Sequence, residues 1–430
     1  MLKGASDVKT IRLLYFSVNR WGNMGRRKPR MAHELARYPE VGSILYVEPA
    51  VETSFLDLTL GRLDGEHLEA TRAAHLGAVL GRPRRVEEKI WAYTGSAKSM
   101  PLTRFLVVRR LQALHRLNQG LYYGGIRRVL SRLPGDETIL WLSHPVHSSA
   151  LTAFPERTLA CYDWTDDWSA FDVLSTEEPQ QTATLNDQIL EQADLVFAVS
   201  VHLKQRAAAV NANTYHVPNA TDVDILSGVL EEGPVAAELA ELTGPVIGYV
   251  GTVSDKIDYG FVDQMARLRP SWNFVFVGPV WSRHQEQVGA LETLGNVHFL
   301  GPRPFEQLVP YLRGFDVCML PHAVNRLTRS MDPIKMYDYL NTGKPIVSTP
   351  VAGIERFADV VAVAQTPAGF IDRIEAGLTE DGAKAQERLE RAKENTWRHR
   401  AARVWSIIQD ALSSEPRKLQ VGRSAVIRPD

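Results

Sequence analysis

The sequence contains very little cysteine: two residues, Cys161 and Cys318, in a chain of 430. They lie far apart and lack the spacing of metal ligands or redox pairs, which argues against a disulfide framework and indicates a reducing compartment. No apolar run approaches the roughly 20 residues of a membrane-spanning helix, and the N-terminus lacks the apolar core of a signal peptide. We therefore expect a cytoplasmic protein.

Net charge is nearly absent as well. The 49 Lys and Arg residues are balanced by 50 Asp and Glu, which leaves a formal charge of −1 at pH 7. This balance gives no sign of a polyanionic partner, and we expect no nucleic acid. Hydrophobic residues make up 44% and charged residues 23% of the chain, as in ordinary globular proteins. Because 430 residues exceed what one hydrophobic core accommodates, the length predicts two domains of about 200 residues.

Short apolar or β-branched runs alternate with helical patterns along the chain, which predicts βαβ units and parallel sheets. The first half has five such strands, at 11–18, 43–49, 137–143, 158–164 and 193–200. After a polar, Ala-rich stretch the pattern restarts with six strands, at 245–251, 273–279, 296–301, 316–321, 345–349 and 359–364. We therefore expect an α/β fold of two doubly wound domains. A strong helical pattern over 382–412 follows, and then a loose tail.

The first strand leads into NRWGNMGRRKPRM, residues 19–31, which places Gly22 and Gly25 just before a helix start at Pro29. Glycines at such a junction permit close backbone approach, and the free N–H groups of the new helix can bind an anion. The spacing differs from the dinucleotide-binding fingerprint. A phosphate site and a plain turn therefore both fit this junction.

Residues 332–349, DPIKMYDYLNTGKPIVST, combine a short helix with an apolar strand. In a doubly wound domain such a helix begins at the edge of the sheet where ligands bind, so its N–H groups and Lys335 can face a phosphate. Asp338 can accept hydrogen bonds from the two hydroxyls of a ribose. The same two residues also fit a capping acid and a solvated lysine on a surface helix.

Motifs distributed over nearly the whole chain resemble one enzyme family. They include FSVNRWGNMGRRKPRMAHELAR, CYDWTDDWSAF, VPNATDVDIL and IGYVGTVSDKIDYGFVDQMA, together with residues 332–349. On these motifs the chain resembles the GT-B glycosyltransferases of the large retaining family 4, especially the branch that builds bacterial surface polysaccharides such as teichuronic acids. The resemblance implies two Rossmann-like domains that face each other across a cleft.

The same resemblance implies how the chain is divided. An N-terminal acceptor domain is expected over 1–225 and a nucleotide-sugar donor domain over 226–390. A helix over 391–415 is expected to cross back to the first domain, and a loose tail over 416–430 to follow it.

The family binds its donor with two glutamates, the second of which precedes a Gly-x-Pro segment. Asp338 stands five residues before Gly343 and takes the place of the second glutamate, which implies a contact with the nucleotide ribose. Ser330 takes the place of the first glutamate, and Asp332 is the nearest carboxylate that could substitute for it. The sequence departs from the family at this position.

A second departure follows the first strand of the donor domain. Thr252, next to Gly251, stands where the family has an arginine, and Lys256 is one residue away from the family's lysine position. The resemblance therefore implies that the diphosphate receives its counter-charge from Lys335, Arg303 or Arg326.

Three further residues of the first domain are candidates. His144 follows a strand and resembles the family histidine beside the transferred sugar, although a loop histidine bonded to backbone fits as well. The adjacent Asp166 and Asp167 follow another strand and are candidates either for binding acceptor hydroxyls or for capping the next helix. Asp222 and Asp224 have the DxD spacing of metal-dependent transferases, but their segment resembles the family's interdomain turn, so no metal is expected.

The resemblance implies transfer of a sugar from a nucleotide-diphosphate sugar to a glycan or lipid-linked glycan, with retention and without a cofactor. In retaining members the departing phosphate itself accepts the proton of the acceptor. Two alternatives stay open: a nucleotide-sugar 2-epimerase of the same fold, and a non-catalytic sugar-nucleotide-binding partner subunit. The epimerase would need several catalytic carboxylates in the cleft.

Residues 82–133 contain twelve Lys or Arg and two acids, a local balance of +10 (12 − 2). Part of this stretch mixes apolar residues with arginines, including Arg109, Arg110, Arg127 and Arg128, as an interfacial helix does. A solvated basic surface over a core-facing helix fits the same pattern. Because enzymes of the resembled branch extend lipid-linked glycans, the resemblance favours peripheral contact with anionic lipids at the inner face of the plasma membrane.

Overall fold

The computed structural model describes residues 9–22, 24–49, 81–95, 112–170 and 179–414, and these form two α/β domains. The first contains a sheet of eight strands and the second a sheet of six. The strands are, in chain order, β1 (Ile11–Phe16), β2 (Val41–Val47), β3 (Arg84–Glu87), β4 (Ile90–Tyr93), β5 (Glu137–Leu142), β6 (Leu159–Trp164), β7 (Leu195–Ala198), β8 (Thr214–His216), β9 (Val246–Val250), β10 (Asn273–Val277), β11 (Val297–Phe299), β12 (Val317–Leu320), β13 (Ile346–Ser348) and β14 (Ala362–Val363).

Helices connect the strands and cover the sheets. The described α-helices are, in chain order, α1 (Arg27–Ala36), α2 (Gln112–Leu130), α3 (Ser149–Ala153), α4 (Pro179–Gln192), α5 (Val201–Ala208), α6 (Val223–Leu226), α7 (Ala237–Ala240), α8 (Tyr259–Leu268), α9 (Gln285–Glu292), α10 (Val309–Gly314), α11 (Arg326–Ser330), α12 (Ile334–Leu340), α13 (Pro367–Leu378), α14 (Gly382–Glu394) and α15 (Trp397–Ser413). None of these described helices is both long and apolar enough to cross a membrane.

The first sheet has the order β3-β4-β2-β1-β5-β6-β7-β8, and all of its pairings are parallel except the β3–β4 hairpin. The second has the order β11-β10-β9-β12-β13-β14 and is parallel throughout. The eleven strands predicted from the sequence are all present, which confirms the α/β prediction. Three short strands, β3, β4 and β8, were not predicted; β3 is charged and half-exposed, so it lacks the apolar run of a buried strand.

The predicted continuous helix over 382–412 is wrong. The structure ends α14 at Glu394 and begins α15 at Trp397, with the Thr396 hydroxyl accepting a hydrogen bond from the N–H of His399 as an N-cap. At the break, Trp397 N–H donates to the carbonyl of Thr221 at 3.2 Å. Helical periodicity alone did not reveal this turn.

Helix α15 belongs to the core of the first domain. Trp397 and Trp405 are buried there together with Met31 and Leu35 of α1. The ring of Trp405 also stacks on Tyr38, with the two centroids 5.0 Å apart. The first sheet ends at His216 and the second begins at Val246, so the predicted boundary at 225 falls in the connection between them. The predicted tail over 416–430 lies outside the described residues.

A buried hydrogen-bond network joins the two domains, and we call it the junction network: Arg27, Asp163, Asn219, Asp332, Tyr337 and Arg356. The backbone N–H of Asn219 donates to Asp332 Oδ2 at 2.6 Å, and its side-chain Nδ2 donates to the Asp332 carbonyl at 2.6 Å. Asp332 also accepts from the Tyr337 hydroxyl at 2.8 Å and pairs with Arg356. The interdomain segment is thereby tied to the start of α12.

Arg27 supports the same segment from the first domain. Its guanidinium donates to Asp163 Oδ1 at 2.7 Å and to the Pro218 carbonyl at 3.1 Å. The two paired side chains are only 3% and 0% exposed. Removal of one partner would leave the other charge buried without compensation.

We therefore predict that Asp163→Asn lowers the free energy of unfolding by about 3–5 kcal/mol, the range for breaking a buried ion pair. Urea denaturation followed by tryptophan fluorescence measures this change. Asp263→Asn is the matched control, since Asp263 pairs with Arg267 on the surface of α8 and its loss should change stability very little. Equal effects of the two substitutions would contradict the assignment of Arg27 and Asp163 as a stabilising pair.

Candidate active site

The carboxyl ends of both sheets meet at a cleft between the domains, which is where parallel α/β sheets bind ligands. Arg26, which precedes α1, donates from Nη2 to the Thr252 hydroxyl of the second domain at 3.2 Å. Lys256 Nζ lies 3.9 Å from Asp166 Oδ1 of the first domain. Residues that follow β1, β6 and β9 therefore come together here.

Lys335 enters the cleft from the first turn of α12. Its side chain lies against Gly251, where an added Cβ would be 2.5 Å from Lys335 Cε. Gly251 also has φ +148°, a conformation that favours glycine. Burial lowers the pKa of Lys335, the charges of Arg26 and Lys256 lower it further, and Asp338 opposes them. The predicted position of Lys335 at the ligand edge thus agrees with the geometry.

Asp338 lies one turn further along α12 and is 9% exposed. Its Oδ1 accepts a hydrogen bond from the Thr221 hydroxyl at 3.0 Å. The Thr221 oxygen in turn accepts a hydrogen bond from Asn341 Nδ2 at 2.6 Å. Burial raises the pKa of Asp338, against the effect of Lys335. Within the part of the chain that the structure describes, Oδ2 makes no hydrogen bond. Asp338 is thus oriented by the interdomain segment and retains one open oxygen.

The two adjacent aspartates of DWTDDW have different surroundings. Asp166 accepts from the Thr165 hydroxyl at 3.2 Å and lies near Lys256. Asp167 is 3% exposed and accepts from Ser169 at 2.6 Å, Arg206 at 2.8 Å and Arg326 at 3.2 Å. These partners lower the pKa of Asp167 although burial opposes them.

Both oxygens of Asp167 are thereby occupied by protein groups. Asp166 remains the carboxylate of this pair that can meet a substrate in the cleft.

Arg326 and Arg303 do not join Lys335. Arg326 lies at the rim, where its side chain is 68% exposed and contacts Asp167 and Ser169 of the first domain. Arg303 donates to the Tyr311 hydroxyl at 2.6 Å and to Glu238 at 2.9 Å, both in the second domain. The predicted phosphate role of Arg303 therefore has no geometric support.

Ser330 and Asp332 are buried where the two domains meet. Ser330 is 0% exposed, its hydroxyl donates to the Leu327 carbonyl at 2.8 Å, and its own carbonyl accepts from Ser200 at 2.7 Å. Asp332 is 5% exposed and belongs to the junction network. Buried in this way, neither side chain is open to a sugar, so the predicted donor contacts of these two residues lack geometric support.

The glycine junction of the first domain packs against the second. Gly22 has φ +99°, and a Cβ added to Gly25 would lie 2.9 Å from the Phe305 ring. Gly25 thus allows the close approach of the two domains.

Asp222, from the DxD sequence, caps α6 by accepting from the N–H of Ile225 at 3.0 Å, and it pairs with Arg30.

His144 lies on the first-domain side of the cleft. Its ring centroid is 4.3 Å from that of Trp168, and its Nδ1 accepts from the Val146 N–H at 3.1 Å. Burial lowers the pKa of His144 and the neighbouring His147 adds to the effect, so the imidazole is neutral at pH 7. The hypothesis of a loop residue bonded to backbone is correct for Nδ1, and it leaves Nε2 available for a ligand.

Sequence reasoning missed three charged or titratable residues of the cleft. Arg26 is one, and Lys28 is another: its Nζ donates to the Thr165 hydroxyl at 2.9 Å and lies 5.4 Å from the centroid of the Trp168 ring. Burial lowers the pKa of Lys28 to about 8. The signal was the run of basic residues directly after Gly25.

His322 is the third missed residue and follows β12. Its Nε2 lies 3.5 Å from the Tyr249 hydroxyl. Burial lowers the pKa of His322 to about 3, and Lys256 and Lys335 contribute to this shift. The imidazole therefore stays neutral beside the lysines.

Comparison with known proteins agrees with this architecture. Residues 244–380 match the sequence model of a family described as glycosyl transferases group 1. The Bacillus subtilis (strain 168) protein TuaH, named as a teichuronic acid biosynthesis glycosyltransferase, is 22% identical over 278 residues, which are 61% of this chain and 70% of TuaH. These sequence matches support glycosyltransferase activity.

Solved structures show the same fold. The sucrose-phosphate synthase of Thermosynechococcus elongatus superposes with a TM-score of 0.65 at 12% identity, covering 95% of this chain and 100% of that one. Anabaena HepE, in complex with UDP and glucose, superposes with a TM-score of 0.62 at 13% identity over 93% and 99% of the two chains. The predicted GT-B fold is confirmed.

The lowered lysine pKa values predict a pH dependence of anion binding. Lys28 is charged below about pH 8 and neutral above it, whereas an ordinary lysine loses its charge near pH 10.5. The affinity of the cleft for pyrophosphate should therefore fall between pH 7 and pH 9. Isothermal titration calorimetry at pH 8 in two buffers of different ionisation enthalpy should also detect proton uptake on binding.

Lys28→Arg serves as the control, because a guanidinium keeps its charge over this range. Its affinity profile should be flatter than that of the wild type. An unchanged wild-type affinity from pH 7 to pH 9 would contradict a contribution of Lys28 to anion binding.

Proposed function

We propose that the protein transfers a sugar from a nucleoside-diphosphate sugar to a glycan or lipid-linked glycan in the biosynthesis of a cell-surface polysaccharide. One observation carries the proposal: Lys335, Lys256 and Asp338 face the cleft from the second domain while Asp166 faces it from the first. Cations are needed where a diphosphate leaves, because negative charge develops there in the transition state. The group 1 match over 244–380 and the similarity to TuaH support the same function.

The donor side of the site suits a nucleoside diphosphate. The open oxygen of Asp338 can accept a ribose hydroxyl, and Lys335 lies one helical turn away, at a distance that suits the diphosphate. The HepE structure, which has the same fold, is a complex with UDP and glucose. We assign Asp338 to the ribose and Lys335 with Lys256 to the phosphates.

In the proposed reaction the bond between the sugar C1 and the diphosphate oxygen breaks, and the acceptor hydroxyl oxygen bonds to C1. The acceptor proton passes to the departing phosphate on the same face, and the configuration at C1 is retained. Asp166 and His144 orient the acceptor, which raises the rate by holding the reacting atoms in place. Lysine side chains supply the counter-charge, so the proposal includes no metal ion.

The distribution of carboxylates favours a transferase over a 2-epimerase. Of the carboxylates considered at the cleft, Asp167 is bonded to Arg206, Arg326 and Ser169, and Asp332 is buried in the junction network. Asp166 and Asp338 remain, on opposite domains. Two separated carboxylates suit one acceptor contact and one ribose contact better than they suit proton abstraction and return at a single sugar.

A nucleotide-release assay tests this function. Sugar conjugates of UDP, GDP, ADP and dTDP are first screened by thermal shift, because the true donor stabilises the folded protein by mass action. With that donor, release of the nucleoside diphosphate should require an acceptor, be insensitive to EDTA and yield a product with retained configuration by NMR. Conversion of the donor without an acceptor would indicate the epimerase, and binding without turnover a partner subunit.

Two variants test the roles assigned to Lys335 and Asp338. Lys335→Ala should lower kcat by about 10²–10³, the effect of losing one group that stabilises the leaving charge. Asp338→Asn keeps an oxygen for Thr221 and should weaken donor affinity by about 1.5–3 kcal/mol. Lys384→Ala, at an exposed lysine of α14, is the control and should match the wild type. Unchanged kcat in Lys335→Ala would refute the assigned role.

We further propose that the first domain contacts an anionic membrane through helix α2. Tyr123, Ile126 and Val129 of α2 are buried, whereas Leu117 and Leu121 are 61% and 46% exposed, one turn apart. Arg127 donates to the Ala153 carbonyl and lies over Phe154, so it supports the fold as well. Arg109 and Arg110 lie outside the described residues.

Vesicle sedimentation tests this contact. The wild type should bind anionic vesicles at low salt and dissociate as salt rises, because charge attraction is screened. Leu117→Gln with Leu121→Gln should reduce binding, while Leu268→Gln, at a leucine of α8 that is 46% exposed, should not. Equal sedimentation of the wild type with neutral and anionic vesicles would count decisively against membrane contact.

A further inference from the structure

Three consecutive basic residues follow Gly25, and they have three different environments. Arg27 points into the junction network and is fully paired. Lys28 donates to the Thr165 hydroxyl. Arg26 is bonded to one group in the described chain, the neutral hydroxyl of Thr252 on the opposite domain, at 3.2 Å.

A guanidinium carries five N–H donors in a planar fork, so one bond to a hydroxyl leaves most of its capacity unused. Arg26 is half-buried, and none of its nitrogens is among the buried side-chain atoms that lack a partner in the described residues, so its other donors are accessible to solvent. Lys335 lies against Gly251, next to Thr252, and the charges of both Arg26 and Lys256 act on it. Arg26 therefore adds positive charge where two lysines already repel one another.

A cluster of positively charged side chains with hydrogen-bond donors to spare suits the binding of an anion that has several oxygens. Arginine binds phosphate oxygens two at a time, which a lysine or a hydroxyl cannot do. On the second domain the position facing Arg26 holds Thr252, which carries no charge. The arginine of this site is thus on the first domain and the lysines are on the second.

We propose that Arg26 reaches across the cleft to bind the diphosphate of the donor, supplying from the first domain the guanidinium that position 252 of the second domain lacks. The inference rests on the proposed function and adds to it one binding residue, Arg26, and one constraint, on how close the two domains must be. Because the diphosphate would be held from both domains, its site is complete only when they stand as close as they do here.

A charge-swap experiment tests this role. The probes are UDP, GDP, ADP and dTDP, and the one that binds the wild type most tightly is used throughout. Arg26→Ala should weaken its affinity about 10–100-fold, the range for a lost hydrogen bond between charged groups. Thr252→Arg alone should not tighten binding, because it sets a second guanidinium beside Arg26. The double variant Arg26→Ala, Thr252→Arg should recover affinity to within about threefold of the wild type, since position 252 regains the guanidinium that position 26 has lost.

Arg26→Gln separates ligand binding from a structural role. Glutamine can still donate to the Thr252 hydroxyl but carries no charge. Under the proposal it loses affinity for the nucleoside diphosphate as Arg26→Ala does, while affinity for the corresponding nucleoside, which has no phosphate, stays unchanged in every variant. If Arg26 only holds the domains together, Arg26→Gln binds as the wild type does, and that result overturns the inference.

The outcomes also distinguish this inference from the proposed function. If the wild type binds none of the four nucleoside diphosphates, the proposed function fails and the inference with it. If the wild type binds one, Lys335→Ala weakens binding and Arg26→Ala does not, the function stands and the inference alone is overturned. Failure of the double variant to recover affinity when Arg26→Ala has lost it also overturns the inference.

Discussion

Repulsion between positively charged side chains that face one another across the cleft is the constraint on which the arrangement of the site depends. Burial lowers the pKa of Lys335, and Arg26 across the cleft and Lys256 beside it lower it further. Burial also lowers the pKa of Lys28, together with the adjacent Arg27 and Arg26 of its own domain. Each is nonetheless held in place, Lys28 by the Thr165 hydroxyl and Lys335 against the backbone of Gly251. An anion in the cleft would relieve the repulsion, and a polar neutral ligand would not.

The opposing attraction lies beneath the cleft, in the junction network. Asn219 is bonded twice to Asp332, and Arg27 joins Asp163 to the carbonyl of Pro218. Helix α15 adds apolar contact, because Trp397 and Trp405 are buried in the core of the first domain. Buried contacts near the interdomain segment therefore offset the repulsion of the cations above them.

Much of the fold could be predicted because buried parallel strands are apolar runs, and all eleven such runs form strands. The break between α14 and α15 was missed because Thr396 caps a helix within a continuous helical pattern. In the site, Lys335 was located correctly because the start of a helix at the ligand edge follows from topology. Asp166 and Asp167 could not be told apart, since the partners of Asp167, Arg206 and Arg326, are distant in sequence.

The two ends of the cleft differ in how firmly they are held, and this sets the direction in which it can open. At the rim, Arg326 is 68% exposed, and its ion pair with Asp167 is screened by water and contributes little. At the junction, the bonds of Asn219 to Asp332 are buried and cost much more to break. Opening would therefore begin at the rim and pivot on the interdomain segment. Such a motion separates Arg26 from Lys335, so repulsion favours it in the empty cleft, and a bound anion opposes it.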